Sequence, residues 1–370
     1  VFECTTGLLY SLLVGSQISY CDGIRYIMEN LNEYKITFAC FVPAIYENVY
    51  KNIVKNLEKA GKLEVIRMLE EKYKDEAEFN ITICAENEVT CKETVLIDPK
   101  NAGDVYVFVD DQFSSLRQNN ALLEITDNVE EIIEENGGKE SAAVQSASYD
   151  GKLYAYPMTA SNGYFLYYNK EYFTEEDVKS FDKMLEIAKE NDKKIAMDFT
   201  SGWYLYSFFK GAGLNVELSE DGLTNICDWN TTEGKYKGVD VAEAMCNLVG
   251  NPGFLNCGDL DFVAGAKDGS IIAGINGAWN TKNIQEAYGD HYAATKLPEY
   301  SIAGDLVQMH SFVGYKLVGV NAYTQNPKWA QRLAQWITNE ENQMIRFERK
   351  GDCPSNVKAA SSEKVIASPA

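Results

Sequence analysis

The sequence predicts an α/β protein of about two domains, and three observations lead to this prediction. The chain has 370 residues, roughly the length of two ordinary domains. Its predicted strands are mostly continuous apolar runs, as in sheets covered on both faces, and amphipathic helical segments lie between them. No low-complexity linker separates two halves of the sequence, so we expect the chain to cross between the domains more than once.

Buried strands are predicted where aliphatic and aromatic residues form short runs. The clearest are residues 36–42 (ITFACFV), 104–109 (DVYVFV), 163–168 (GYFLYY), 271–275 (IIAGI) and 313–320 (VGYKLVGV). Directly after the fourth run, Asn276-Gly277 predicts a turn, and Trp279 follows it at once. A core residue and a ligand-facing residue are both consistent with this tryptophan.

Helices are predicted between the strands from apolar residues at helical spacing. They include residues 64–74, the segment opened by the capping box Thr174–Asp177, and the segment opened by Asn326-Pro327, whose Trp329 and Trp336 we expect to face the core. Residues 1–34 also read as helical but contain no functional motif.

The composition argues against two classes of partner. The net charge is −21 and the isoelectric point about 4.6. A nucleic acid is therefore not expected, because its affinity comes from lysine and arginine replacing counterions. Docking to an anionic membrane by a basic patch is not expected either, and no apolar run reaches the ~18 residues of a membrane span.

Catalytic, cofactor and metal motifs are absent from the sequence. There are two histidines, no nucleotide-binding loop and no CxxC pair among nine cysteines, so neither a cofactor nor a metal is expected. One disulfide among Cys227, Cys246 and Cys257 stays an open alternative. A glycosidase needs only two carboxylates, and with 55 acidic residues it stays open as the alternative from another class.

Several polar and aromatic residues stand at the ends of predicted strands, where ligands bind in open α/β sheets. Asp110-Asp111 follow the strand at residues 104–109, and we expect the two carboxylates to point in different directions. Asn162 and Tyr164 flank the start of another strand, and Trp203 begins a predicted helix after Ser201-Gly202. Aromatic residues can line a site whose ligand has flat apolar faces, and carboxylates can accept hydrogen bonds from ligand hydroxyls.

Seven stretches of the sequence resemble one family, in that family's order. They are residues 102–125, 149–173, 198–213, 227–254, 262–280, 292–323 and 336–360. They resemble the extracellular solute-binding proteins of carbohydrate ABC importers, and among these the maltose/maltodextrin- and cyclodextrin-binding type.

The resemblance implies a two-lobed periplasmic-binding-protein fold (type II-like), with the ligand cleft between two α/β lobes and several crossovers at a hinge. The expected first lobe comprises residues 35–157 and about 295–338, and the second comprises residues 158–294 and about 339–370. Residues 1–34 are an unassigned helical segment. Family members usually continue for several dozen residues past the point that matches residue 370, so we expect residues 1–34 to occupy part of that place. A further helical stretch, about residues 46–63, is expected as an insertion.

Site residues follow from the resemblance position by position. Asp111 matches a sugar-binding aspartate, Trp203 a stacking tyrosine and Trp279 a stacking tryptophan. Phe108 stands where some members have a stacking tryptophan, and Gln112 where some have arginine. The remaining predicted ligand-binding residues are Ser161 and Asn162, near a position that is glutamate in the maltose-binding type, and Tyr164.

The function implied is capture of maltooligosaccharides and their delivery to the membrane permease subunits of an ABC importer. The protein is then a monomeric binding protein and not an enzyme. Its expected location is extracellular, at a bacterial cell surface through a lipid anchor or in a periplasm. A carrier of another oligosaccharide is the alternative within the same class.

Overall fold

The structure is a computed structural model that describes residues 62–84, 86–219 and 224–368. The chain divides into two compact units, Val1–Met68 and Leu69–Ala370. Of the first unit, residues 62–68 are described, and they form the first turns of a helix. The predicted strand at residues 36–42, the segment 1–34 and most of the expected insertion at 46–63 lie outside the described residues.

The strands of the described residues alternate with helices in sequence. In chain order they are β1 Val105–Val109, β2 Ser148–Tyr149, β3 Lys152–Leu153, β4 Ala155–Thr159, β5 Tyr164–Asn169, β6 Lys194–Met197, β7 Val216–Leu218, β8 Asn225–Cys227, β9 Phe254–Asn256, β10 Ile271–Gly277, β11 Tyr292–Thr295, β12 Glu299–Ile302, β13 Asp305–Gln308 and β14 Lys316–Val320.

The α-helices are short to medium in length. In chain order they are α1 Lys62–Tyr73, α2 Cys91–Ile97, α3 Phe113–Gln118, α4 Val129–Glu135, α5 Ala142–Ser146, α6 Phe181–Glu190, α7 Gly202–Gly211, α8 Gly238–Val249, α9 Asp259–Asp268, α10 Thr281–Tyr288, α11 Pro327–Ile337, α12 Glu340–Lys350, α13 Val357–Ala360 and α14 Glu363–Ile366.

Leu69–Ala370 contains two main sheets, each with its own hydrophobic core, and these are the two lobes. The small sheet has the order β1-β14-β4 and is antiparallel throughout. Phe108, Leu116 and Leu317 are fully buried in its core. The large sheet has the order β11-β5-β10-β6-β9, in which β10 is parallel to β6 and antiparallel to β5. Its three inner strands β5, β10 and β6 are mostly buried, as their continuous apolar runs predict, whereas the edge strands β11 and β9 are partly exposed.

Between the sheets the chain passes through two adjacent crossover segments, residues 160–163 and 310–315. The first joins β4 of the small sheet to β5 of the large sheet, and the second leads back to β14. The amide N of Asn162 donates to the carbonyl of Gly314 over 3.1 Å, so the two segments are tied side by side. These two segments are the hinge connections in the described part of the chain.

The predicted lobe boundaries differ from the packing in two places. Leu297, Tyr300 and Met309 belong to the core of the large sheet, although the sequence assigns residues from about 295 to the first lobe. The chain returns to the small-sheet lobe later than predicted, because the hairpin β12–β13 packs on the large sheet before the second crossover. The terminal segment contacts both lobes: Gln343 Nε2 donates to the carbonyl of Pro157, and Lys282 Nζ donates to that of Glu348. Assigning it to the second lobe alone therefore does not describe it.

One predicted helix start also differs. The Thr174–Asp177 capping box forms, because Thr174 Oγ1 accepts from the amide of Asp177 over 3.3 Å and Asp177 Oδ2 accepts from the amide of Thr174 over 2.9 Å. It is followed by a single 3₁₀ turn. The α-helix itself begins at Phe181, where the Ser180 side chain accepts from the amide of Lys183.

Helix α11 begins at Pro327 as predicted, but its tryptophans do not face the core. The buried residues of this helix are Ala330, Gln331 and Ala334, and the two alanines belong to the core of the small sheet. Trp329 is half-buried on the outer side and meets Tyr73 and Phe79 edge to face, with centroids 5.7 and 5.0 Å apart.

Candidate functional site

Two tryptophans far apart in sequence stack on each other at one edge of the large sheet. Trp203 is the second residue of α7, and Trp279 lies in the 3₁₀ turn that follows β10. Their ring centroids are 5.5 Å apart with an interplanar angle of 28°, and both are half-buried. The parallel strands β6 and β10 bring the two residues together, because both lead into their turns at the same, carboxyl-terminal edge.

This edge lies beside the hinge connections. Tyr164, the first residue of β5, pairs with Gly277 at the end of β10, so the crossover at residues 160–163 ends at the same edge. Phe312 of the other crossover has its ring centroid 6.1 Å from that of Trp203. The stacked indoles therefore lie where the chain passes between the lobes, the region in which open α/β proteins bind ligands.

The indole of Trp279 is held on two sides. Its Nε1 donates to Asp259 Oδ2 over 2.7 Å, a short charge-assisted hydrogen bond. The ring also lies against Gly277, where any Cβ would overlap it. The Asn276-Gly277 pair is therefore no turn: β10 continues through both residues, and glycine is required for the close approach of the indole.

Trp203 is supported from behind by two tyrosines. Tyr164 Oη donates to the carbonyl of Trp203 over 3.1 Å, and the two ring centroids are 4.6 Å apart. Tyr204 meets Trp203 edge to face and donates its hydroxyl to Asp259 Oδ1 over 3.3 Å. Burial and the neighbouring Asp259 raise the pKa of Tyr204, so this hydroxyl stays protonated and able to donate.

Tyr164 was predicted to bind the ligand, and the structure corrects this. Only 1% of the residue is exposed, because the start of β5 is covered by α7. Its role in the structure is to support Trp203.

Asp259, Asn276 and Asn280 join the site although sequence reasoning did not select them. Asn276 Nδ2 donates to Asp259 Oδ1 over 3.1 Å, and Asn276 Oδ1 accepts from Asn280 Nδ2 over 2.7 Å. The one available signal for Asp259 was an acidic first residue of a helix, which is ordinary at helix N-termini.

On the small-sheet lobe, Asp110 and Asp111 follow β1 in a 3₁₀ turn and not in the extended conformation that the sequence suggested. Asp111 is exposed, so it is available to a ligand. Asp110 turns towards the hinge: its Oδ2 accepts from the amide of Tyr315 over 3.0 Å, and its own amide donates to the carbonyl of Tyr315.

Phe108 and Gln112 are corrections to the predicted site. Phe108 is 0% exposed and packs in the core of the small sheet, because the alternating pattern of β1 points it inward. Gln112 is 4% exposed, and its side chain bonds to the backbone of Glu88, Val89 and Lys92. It fixes the loop before α2 and is not free for a ligand.

Ser161 and Asn162 are hinge residues in the structure. Ser161 Oγ accepts from the amide of Cys353 over 3.1 Å, and the carbonyl of Cys353 accepts from Ala160. Asn162 is 9% exposed. Both predicted ligand residues are thus engaged in or enclosed by the crossover, and a role as primary ligand contacts is not supported by their positions.

Most of the chain matches one protein family. Residues 64–370 match the model of the bacterial extracellular solute-binding protein family. The chain belongs to this family.

Two relatives of this solute-binding protein are named for the oligosaccharides that they bind. The galactooligosaccharide-binding protein of Bacillus subtilis (strain 168) is 30% identical over 242 residues, which are 61% of this chain and 54% of the relative. The maltodextrin-binding protein MdxE of the same organism is 25% identical over 315 residues, 80% of this chain and 71% of the relative. The chain thus spans about half the length of the first relative.

Solved structures show the same two-lobed fold. A structure with acarbose is 32% identical, with a TM-score of 0.73, and the match covers 83% of this chain and 77% of the other. The maltodextrin binding protein MalE1 from L. casei BL23, without ligand, is 26% identical, with a TM-score of 0.70 and coverage of 84% and 80%.

In the described ranges, no group of three or more His, Cys, Asp and Glu side chains is arranged to hold a metal ion. Cys227, Cys246 and Cys257 are free thiols, so the disulfide left open by the sequence does not form in this structure. Among the described residues, none of the helices has both the length and the apolar character needed to cross a bilayer.

Asp110 makes the stability of this solute-binding protein depend on pH. Burial raises its pKa to about 6, despite the hydrogen bond from Tyr315. Because the pKa is higher in the folded than in the unfolded chain, the contribution of Asp110 to wild-type stability falls as the pH rises from about 4 through about 6. Asp110→Asn keeps an acceptor for Tyr315 and cannot ionise. We expect it to be about 1–3 kcal/mol more stable than wild type near pH 8.

Urea unfolding of both proteins near pH 4 and near pH 8 measures this difference. Near pH 4 the two midpoints should converge. Equal midpoints at both pH values would show that Asp110 ionises normally in the folded protein.

Proposed function

We propose that this chain binds α-glucan oligosaccharides, such as maltotriose and longer maltooligosaccharides, and delivers them to the membrane subunits of an ABC importer. The observation that carries the proposal is the stacked pair Trp203–Trp279 beside the hinge. Indole faces suit the apolar faces of pyranose rings. Closure of two lobes around a ligand is a hinge motion driven by contacts that form only in the closed state.

The first lobe contributes Asp111 in this proposal. Its exposed carboxylate accepts hydrogen bonds from sugar hydroxyls when the lobes close, and charge-assisted bonds of this kind are about twice as strong as neutral ones. Trp203 and Trp279 take the ring faces, and Asp111 takes the hydroxyl rim.

A galactooligosaccharide is the second candidate ligand, because the relative at 30% identity is a galactooligosaccharide-binding protein. The names of the structural relatives, which include maltodextrin binding and acarbose, favour the α-glucan. Both candidates present stacked pyranose faces, so the site geometry alone suits either.

Titration of the intrinsic tryptophan fluorescence with maltotriose, maltotetraose and a galactooligosaccharide tests the proposal. We expect a saturable change with the maltooligosaccharides, because the ligand would rest on two of the five tryptophans. Saturation only with the galactooligosaccharide would select the second candidate. No change with any sugar, checked by calorimetry, would overturn the function.

The remaining parts of the proposal have separate tests. We propose that the protein does not cleave its ligand, so incubation with maltotetraose should release no new reducing ends. We also propose a monomer located outside the cytoplasmic membrane, held at the cell surface by a lipid anchor or free in a periplasm. Light scattering of the purified chain tests whether it is a monomer. Fractionation of the producing cells tests its location.

A further inference from the structure

Asp259 is the point at which the hydrogen bonds of the stacked tryptophans converge. The residue begins α9, twenty positions before Trp279, and it is partly buried. Its Oδ2 accepts from Trp279 Nε1, and its Oδ1 accepts from Asn276 Nδ2 and Tyr204 Oη. One carboxylate thus binds Trp279 directly and the tyrosine that packs on Trp203.

We propose that Asp259 is a positioning residue that sets the orientation of the Trp279 indole and so of the indole pair. An indole has a single polar hydrogen, so one strong acceptor defines the rotation of the ring about its side-chain bonds. Among the described residues, Asp259 is the hydrogen-bond acceptor of that N–H. The opposing contact is the backbone of Gly277, where the indole leaves no room for a side chain.

The ring contacts alone do not determine this orientation. Trp203 lies 5.5 Å from Trp279, but apolar ring contacts are weakly directional, whereas a hydrogen bond to a carboxylate is short and directional. Asn276 is 3% exposed, so loss of Asp259 would leave its buried amide without this acceptor as well. Buried donors without partners favour rearrangement of the local structure.

This arrangement has a consequence for ligand selection, which rests on the proposed function. Because the Trp279 N–H is occupied by Asp259, the indole offers a ligand its apolar surface and not a hydrogen-bond donor. The ligand class favoured at this position is a sugar ring with an uninterrupted apolar face. Its hydroxyls find their partners elsewhere, for example at Asp111.

The test compares Asp259→Ala, Asp259→Asn and the control Asp261→Ala. Asp261 is an exposed acid in the same first turn of α9, so its removal changes the charge without removing a contact to Trp279. Two readouts are used: the exciton couplet that stacked indoles give in circular dichroism, and the affinity for maltotriose or maltotetraose. The couplet needs no ligand.

We expect Asp259→Ala to lose the couplet, keep its helical signal and bind sugar about tenfold more weakly or worse. Asp259→Asn keeps one carbonyl acceptor, which the indole N–H can use, so it should retain the couplet. Its amide nitrogen cannot accept from Asn276 and Tyr204, so its affinity should lie between those of wild type and Asp259→Ala. Asp261→Ala should match wild type in both readouts. If Asp259 acted only through its charge or through general stability of the fold, Asp259→Asn would not restore the couplet.

A wild-type couplet and wild-type affinity in Asp259→Ala would overturn the inference. If the wild type binds no oligosaccharide, the proposed function fails, while the couplet still decides whether Asp259 positions Trp279. If Asp259→Ala does not fold, hydrogen exchange of the indole N–H groups in the wild type replaces it. The Trp279 N–H should then exchange more slowly than that of Trp203, and equal rates would contradict the proposal.

Discussion

Replacing Lys316 with methionine is expected to lower the free energy of unfolding by about 3 kcal/mol. Lys316 is the first residue of β14 and is 5% exposed. Its Nζ lies 2.7 Å from Glu88 Oε1. Methionine fills similar space but leaves the partly buried Glu88 carboxylate without its cation, and an unpaired buried charge is far more costly than a missing surface pair.

The pKa shifts around Lys316 give this prediction a pH dependence. Burial by itself would raise the pKa of Asp352, but Lys316, Lys350 and Arg346 bring it below its usual value. The stability from this lowered pKa is present above the unfolded value and is lost as the pH falls through the folded value. The difference between Lys316→Met and wild type should therefore narrow as the pH falls below the usual carboxyl range and through the lowered pKa values of Glu88 and Asp352.

Urea unfolding at neutral pH and at about pH 3.5 measures both effects. The matched control is Lys152→Met, because Lys152 pairs with Glu124 over 2.8 Å while its side chain is 52% exposed. That exposed pair should contribute far less than the buried one, because solvent screens it. If the two variants lose the same stability, the buried ion cluster does not stabilise the lobe.

The second large effect concerns the ligand. We expect Trp203→Ala and Trp279→Ala each to weaken oligosaccharide binding by about 1–3 kcal/mol, or roughly 5- to 150-fold, because each removes an aromatic face from the ligand. The two losses should not add, since the rings stack on each other and residues in contact are energetically coupled.

Calorimetric titration of the two single variants and the double variant measures these losses. Trp329→Ala is the control: it removes the same side chain from the outer side of α11, where Trp329 packs on Tyr73 and Phe79. Thermal unfolding of each variant shows whether it stays folded. If both single variants bind like wild type, the ligand rests elsewhere in the protein.

Much of the fold could be predicted from the sequence, because its strands are continuous apolar runs. β1, β5, β10 and β14 all lie within or next to the predicted segments. Because these runs are apolar throughout, the sequence did not show on which side of the sheet each side chain lies. In β1 the residues on both faces are apolar, so the sequence could not show that Phe108 points into the core. In the structure, the order of half-buried and buried residues along β1 shows it.

In the site, the sequence allowed prediction only of residues with a large and distinctive side chain. Trp203 and Trp279 were selected and are brought together by the structure. Asp259 could not be chosen among 55 acidic residues, because its partners Asn276 and Trp279 become neighbours only when α9 folds back along β10. Ser161 and Gln112 were selected for their chemistry, but their hydrogen bonds to distant backbone groups can be known only from the fold.

The order of strands in the small sheet has a consequence for synthesis and export. β14 is the middle strand, between β1 and β4, yet it follows β4 in the chain by more than 150 residues. Among the described strands, β1 and β4 pair only with β14, so these pairs cannot form until residues 316–320 have left the ribosome. Contacts so distant in sequence form slowly. We expect this part of the small sheet to stay unpaired while the residues between β4 and β14 are synthesised, a state in which a polypeptide can still be threaded through a translocation channel.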